Sequence, residues 1–322
     1  MSAEPDPRMD LYYACPQTLV RTGRRRRLNL LVAGKGEPTV IFAPGGGCTT
    51  LEWGLVQHPI SAKTRTVAYD NAGFGFSDPG PLPRSASAVV SDLRVALRAK
   101  DIAPPYVLVG WSLGGLIMRL FAFRYPQEVI GMVMVDTSTE YMARRYWAAG
   151  GRQFAQARRK QRARWRRTMV RVERLARTGA LVPGTPEYDE FVGPADPALT
   201  PAVDAARVAQ LTSPGYYRAM RSEQANLAST SSKEIVAAHR ALGDMPLIVL
   251  TASRFPTPEG LLEKQVKAYR EGELAMHDAI AALSTRGQRR SVDAAHGIQL
   301  EKPEVVIAAI EEVLAATRAG AN

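Results

Sequence analysis

Cysteine is nearly absent: Cys15 and Cys48 are the only two in 322 residues, and neither lies in a C-x-x-C or Cys/His spacing. A disulfide framework and a zinc site are therefore unsupported. Long hydrophobic runs are missing as well, since no apolar stretch approaches the roughly 20 residues needed to cross a bilayer. The N-terminal "MSAEPDPRMDLYYACPQTLV" has no basic segment followed by a continuous apolar one, so it reads as a loose tail rather than a secretory signal, and the expected location is the cytoplasm. No G-x-G-x-x-G opens a helix, no Gly-Lys-Ser/Thr follows the glycine cluster at 45–47, and no repeat is visible, which argues against a nucleotide cradle. Histidine is scarce too, with four in all.

What is present is an ordinary globular composition, 46% hydrophobic and 23% charged, carrying a net charge of +11. The excess is local. Between Arg144 and Arg177 there are twelve arginines and Lys160 against Glu173 alone, so this one segment holds the whole surplus. Its Trp165, Met169, Val172 and Ala176 recur at helical spacing, which predicts a helix with one apolar stripe and an arginine-covered remainder. That surface could steer an anionic substrate or rest on an acidic membrane surface. Few aromatics interleave with the arginines and no nucleic-acid motif occurs, so nucleic acid is not an expected partner.

From residue 28 onward short apolar runs alternate with amphipathic ones. "LNLLVAG", "TVIFAP", "TRTVAYD", "YVLVG", "VIGMVMVD", "MPLIVLTA" and "RRSVDAA" read as strands, each bounded by Gly, Pro, Asp or polar residues. Residues 85–101 and 303–318 read as helices, with Val89, Leu93, Ala96 and Leu97 on one stripe and Val306, Ile310, Val313 and Leu314 on another. The expected fold class is α/β, a mostly parallel sheet with helices on both faces. Alternation stops between about 138 and 232, where the sequence is helical and Pro/Gly-punctuated. The expected organisation is an N-terminal extension at 1–27, a core at 28–137 and 233–322, and an inserted basic helical cap at 138–232, over the strand edge where open sheets place their crevices.

"YVLVGWSLGGLIMRL", residues 106–120, puts Ser112 at a strand-to-helix turn between Gly110 and Gly114. Such a turn presents a side chain at the top of the sheet, beside the unpaired N–H groups of a helix N-terminus. A serine hydroxyl there needs a base, an orienter for the base and donors for the oxyanion. Together "FAPGGG", "YDNAGFGFSDPG", "GWSLGG", "VMVD" and "AAHGIQLEKPE", in that order, resemble the α/β-hydrolase fold superfamily, in particular its capped serine esterases and lipases. The resemblance covers about 28–137 and 240–318 and leaves out the cap.

It implies a serine hydrolase acting on a small acyl substrate, most simply a carboxylic ester, with no metal or organic cofactor. His296, after the last predicted strand and before the last helix, becomes the candidate base. Asp136, ending "VIGMVMVD", is the first candidate for the acid and Glu259 the alternative, with Asp244 and Asp278 behind them, because "SRFPTPEG" lacks the aspartate that many relatives carry there. The glycine-rich loop implies Gly46 as one oxyanion donor and Leu113 as the other, although Pro44 stands where relatives often have histidine. Asp70 reads as a loop organiser, and His58, His239 and His277 as solvated or core residues. Ser112 argues against the dehalogenase and epoxide hydrolase branches, which use an aspartate nucleophile. Lactone, amide or carbon–carbon bond hydrolysis and cofactor-free perhydrolysis stay open on the same residues, as does a non-catalytic binding protein with a basic cap.

Overall fold

A computed structural model describes residues 9–254 and 261–319. Its elements run α1 (Met9–Tyr13), β1 (Thr18–Gly23), β2 (Arg26–Ala33), β3 (Thr39–Ala43), α2 (Gly54–Ser61), β4 (Thr66–Tyr69), α3 (Ala86–Ala99), β5 (Tyr106–Trp111), α4 (Leu113–Arg124) and β6 (Val129–Val135). Then come α5 (Met142–Thr178), α6 (Pro186–Phe191), α7 (Pro201–Leu211), α8 (Pro214–Asn226) and α9 (Ser232–Ala238). The chain ends with β7 (Leu247–Ala252), α10 (Glu263–Ala281), β8 (Gly287–Val292), α11 (Ile298–Glu301) and α12 (Pro303–Ala319).

Eight strands form one sheet in the order β1-β2-β4-β3-β5-β6-β7-β8. The pairs β1/β2 and β2/β4 are antiparallel and all the others parallel. Central strands are apolar throughout because both faces are covered: Leu108 of β5 packs with α3 and α4 residues, while Val107, Val109 and Trp111 pack with α2 and α12 residues on the other face. At the edge, β8 buries only Val292 and carries Arg289 and Arg290, charges that discourage further strand pairing.

The N-terminal tail is a correction. Tyr13 of α1 is buried in the core, and β1 pairs with β2 from Thr18↔Leu30 to Gly23↔Arg26, so the expected loose extension is packed from α1 onward and joins the sheet at Thr18. Its strand escaped notice because the polar and charged residues of an edge strand blur the apolar alternation.

Helices α5 to α9 fill the interval between β6 and β7. Met169 and Val172 of α5 are fully buried in a cluster with Phe74, Leu181, Val192, Tyr216 and Tyr217, and Trp165 and Ala176 pack against it. Outside that stripe Arg159, Arg164, Arg166, Arg167, Arg174 and Arg177 are exposed, whereas Arg171 pairs with Glu187 and Glu173 with Arg221. A break at Gly151 (φ 61°, ψ −157°) divides the helix. Among the described residues no helix is long and apolar enough to cross a membrane.

Candidate active site

Ser112 sits between β5 and α4 with φ 53° and ψ −120°, a backbone region costly for any residue with a Cβ. Packing holds it there. The Ser112 N–H donates to Val135 O at 3.1 Å, and Ser112 O accepts from the N–H groups of Gly115 at 3.1 Å and Ser138 at 2.8 Å. The flanking glycines have steric reasons. A Cβ on Gly114 would lie 2.3 Å from Ala43 O and 2.5 Å from Pro44 O, and one on Gly110 would lie 2.6 Å from Gly115 Cα. Helix α4 can therefore lie against both β5 and the loop after β3 only without side chains at these positions.

That loop turns at Gly45–Cys48, closed by the Cys48 N–H donating to Gly45 O at 3.1 Å, with Gly47 at φ +81°, where glycine is unstrained. Gly46 adjoins Leu113: a Cβ on Gly46 would be 3.3 Å from Leu113 Cδ2. The two residues expected to carry the oxyanion donors are thus neighbours. Cys48 borders a cavity of about 210 Å³ with Thr50, Glu52, Asp70 and Tyr216, and burial pushes its thiol well up, which opposes a nucleophilic role. Asp70 braces the turn from behind, accepting from Asn29 Nδ2 at 2.9 Å, the Thr50 N–H at 2.8 Å and the Phe76 N–H at 3.0 Å. Burial nevertheless raises its pKa.

His296 lies in the loop between β8 and α11. Its Nδ1 is 2.6 Å from Asp136 Oδ2, and the other carboxylate oxygen accepts the Ala252 N–H at 3.0 Å. Asp136 is only 3% exposed, at the end of β6 with φ 40°. Its own N–H donates to Leu250 O at 2.8 Å, so β7 grips the aspartate at both backbone and side chain. The imidazole is half-exposed beside it. Trp111, which immediately precedes Ser112, donates Nε1–H to His296 O at 2.8 Å, and the two rings lie 5.4 Å apart. That indole ties the histidine loop to the serine turn, a part no sequence motif signalled.

Glu259, the alternative acid, lies outside the described residues. Asp278 faces Arg289 at 2.5 Å, and Asp244 is exposed on the turn before β7. His277 is a core residue: fully buried, it meets Thr251 Oγ1 and Thr137 O, each at 2.9 Å, directly behind the Asp136 strand end. Sequence reasoning also missed Asn71, Glu223 and Gln224. The last two belong to α8, whose position over the glycine turn no local pattern could announce.

Residues 40–309 match the model of the "Alpha/beta hydrolase family". An uncharacterised Bacillus subtilis protein, YqjL, is 33% identical over 103 residues, which is 32% of this chain and 41% of that protein. The chain thus aligns to under half the length of that curated relative. A solved structure provisionally described as an epoxide hydrolase from Pseudomonas aeruginosa superposes with a TM-score of 0.66 at 18% identity, covering 92% of this chain and 94% of the other. A thermophilic esterase from Thermogutta terrifontis does so with a TM-score of 0.60 at 19% identity, covering 94% and 99%. At these identities the superpositions establish the fold and nothing about the reaction.

Proposed function

The chain belongs to the alpha/beta hydrolase family, and from that premise we propose that it is a serine hydrolase cleaving a carboxylic ester or a related acyl compound. Ser112 Oγ attacks the acyl carbon while His296 Nε2 takes its proton. Asp136 holds the imidazole with its proton on Nδ1 and stabilises the imidazolium that forms. The Gly46 and Leu113 N–H groups receive the developing oxyanion. Collapse expels the alcohol, protonated by His296, and leaves an acyl-serine. Water, deprotonated by His296, then attacks the acyl carbon, releasing the carboxylic acid and restoring the Ser112 hydroxyl.

The observation that carries this reading is the 2.6 Å contact between His296 Nδ1 and a buried Asp136 whose second oxygen is occupied by the Ala252 N–H. With one oxygen held by the backbone, the carboxylate presents its other oxygen to the imidazole. The Asp-nucleophile chemistry known on this fold lacks its nucleophile, because residue 112 is serine.

Incubation with a fluorophosphonate, followed by peptide mass mapping, tests the reading. The expected result is one adduct on the Ser112 peptide, lost in Ser112→Ala and suppressed in His296→Ala. A folded wild-type protein that takes no adduct at Ser112 defeats the proposal and favours a binding role.

A further inference from the structure

Helix α8 lays one face on the glycine turn. Tyr216, Met220, Glu223 and Gln224 stand at i, i+4, i+7 and i+8 and so share that face. A Cβ on Gly47 would be 2.7 Å from Met220 Cε and 3.3 Å from Tyr216 Oη, and one on Gly46 would be 3.3 Å from Gln224 Nε2. The turn and this helix are therefore in close contact.

Glu223 is 3% exposed beneath it. Its Oε1 accepts from Asn71 Nδ2 at 3.2 Å, and the Gly47 N–H reaches the same carboxyl. Two buried atoms are left over: Glu223 Oε2 and Asn71 Oδ1 have no hydrogen-bond partner among the described residues. Both are acceptors when the acid is ionised. A proton on Oε2 turns it into a donor, and the unpartnered acceptor Oδ1 belongs to the amide already bonded to Oε1.

The surroundings agree with a neutral acid. Burial raises the pKa of Glu223 to about 7, while Arg84, the Gly47 N–H and the Asn71 amide pull the other way. Arg84 donates to Asp92 Oδ2 at 2.7 Å through Nη2, while its buried Nε has no hydrogen-bond partner among the described residues. The other titratable groups near Glu223 are Tyr69 at the end of β4, Tyr216 on its own helix and Cys48 in the turn, all raised mainly by burial, with Glu52 and Asp70 lining the adjoining cavity. Among the described residues, Arg84 is the cation that acts on this carboxyl.

We propose that Glu223 is a positioning residue of the hydrolase site: as a neutral acid paired with Asn71 it clamps the cap to the Gly45–Gly47 turn and holds the Gly46 N–H where the oxyanion forms. Ionised, the same group sets a negative charge beside the turn and opposes a second negative charge on the substrate oxygen. The inference rests on the serine-hydrolase reading, and it assigns the cap a part in the chemistry as well as in substrate selection.

The test compares wild type, Glu223→Gln and Glu223→Ala with a neutral short-chain chromogenic ester from pH 5 to 9, separating kcat from KM. A glutamine amide can donate as the protonated acid can, but it cannot ionise. Removing one oxyanion donor costs about 10²–10³ in kcat, so a displaced turn in Glu223→Ala is expected to lower kcat about tenfold or more with little change in KM. Glu223→Gln is expected to recover most of that loss and to lack the wild-type decline in kcat above neutral pH. Superimposable pH profiles for wild type and Glu223→Gln overturn the proposal, as does an alanine variant that keeps full kcat or a glutamine variant no better than alanine. If Glu223→Ala does not fold, judged by its melting transition, the Glu223→Gln profile decides alone. Fluorophosphonate labelling of Ser112 in the same preparations separates the two failures: label with identical profiles rejects the Glu223 role only, whereas no label rejects the hydrolase reading beneath it.

Discussion

Replacing Asp136 with asparagine changes one oxygen to an amide nitrogen and leaves the shape of the side chain intact. The consequence follows from the two bonds the carboxylate makes. Oδ1 accepts the Ala252 N–H at 3.0 Å, and Oδ2 faces His296 Nδ1 at 2.6 Å. A backbone N–H can only donate, so the amide oxygen must turn towards Ala252 and the NH2 group towards the imidazole. His296 then accepts at Nδ1 and carries its proton on Nε2, the nitrogen that in the proposed mechanism receives the proton of Ser112. Flipping the amide restores the productive tautomer only by pressing NH2 against the buried Ala252 N–H, which costs about 1–3 kcal/mol for an unpaired buried donor. The lost carboxylate charge no longer stabilises the imidazolium either. The same Asp→Asn change in a serine triad lowers kcat by about 10⁴, chiefly through the wrong tautomer, or about 5.4 kcal/mol of transition-state stabilisation. The assay is kcat/KM on a chromogenic acyl ester, alongside a thermal melt that should move little because the substitution is isosteric. An Asp136→Asn variant within tenfold of wild type would refute the assignment of Asp136 as the orienting acid.

Gly114→Ala should cost about 1–3 kcal/mol of stability, as overpacking does, because its Cβ would lie 2.3 Å from Ala43 O and 2.5 Å from Pro44 O, backbone atoms that cannot rotate away. Displacing that loop also displaces Gly46, so kcat is expected to fall more steeply than the melting temperature suggests. A variant with native kcat would separate the loop from catalysis. For the exposed arginines of α5, attraction of anionic substrates predicts that the kcat/KM ratio of an anionic ester to its neutral analogue falls as the Debye length shrinks from about 30 Å at 0.01 M salt to about 3 Å at 1 M. A ratio indifferent to salt would remove substrate steering from their account.

Much of the core was legible because parallel strands covered on both faces must be apolar runs of limited length. β3, β4, β6 and β7 lie within the segments read as strands, β5 runs one residue past its segment, and α3 and α12 begin and end within a residue or two of theirs. Edge strands do not obey that rule. β1 went unread because its "TLVRTG" alternates poorly and bears a charge. In the candidate site, Ser112 stood out because the glycines around it have no other economical explanation. His296 was distinguished by its loop position among only four histidines. The candidate acid was not so distinguished, since an aspartate ending a strand looks the same whether it binds a loop or an imidazole, and it is the contact with His296 that sets Asp136 apart from Asp278, which meets Arg289.

Local order was settled by the chain itself: strand, turn, glycine and helix signals depend on neighbours within a few residues, and these are written side by side. What the tertiary structure decided were the meetings across long stretches of chain, namely Asp136 with His296, Trp111 with the His296 carbonyl, and Glu223 with Asn71. Such meetings depend on how the sheet twists and where the cap lands, which arise from packing summed over the whole molecule. A buried carboxyl and an exposed one are spelled with the same letter; only the fold determines which of them keeps its proton.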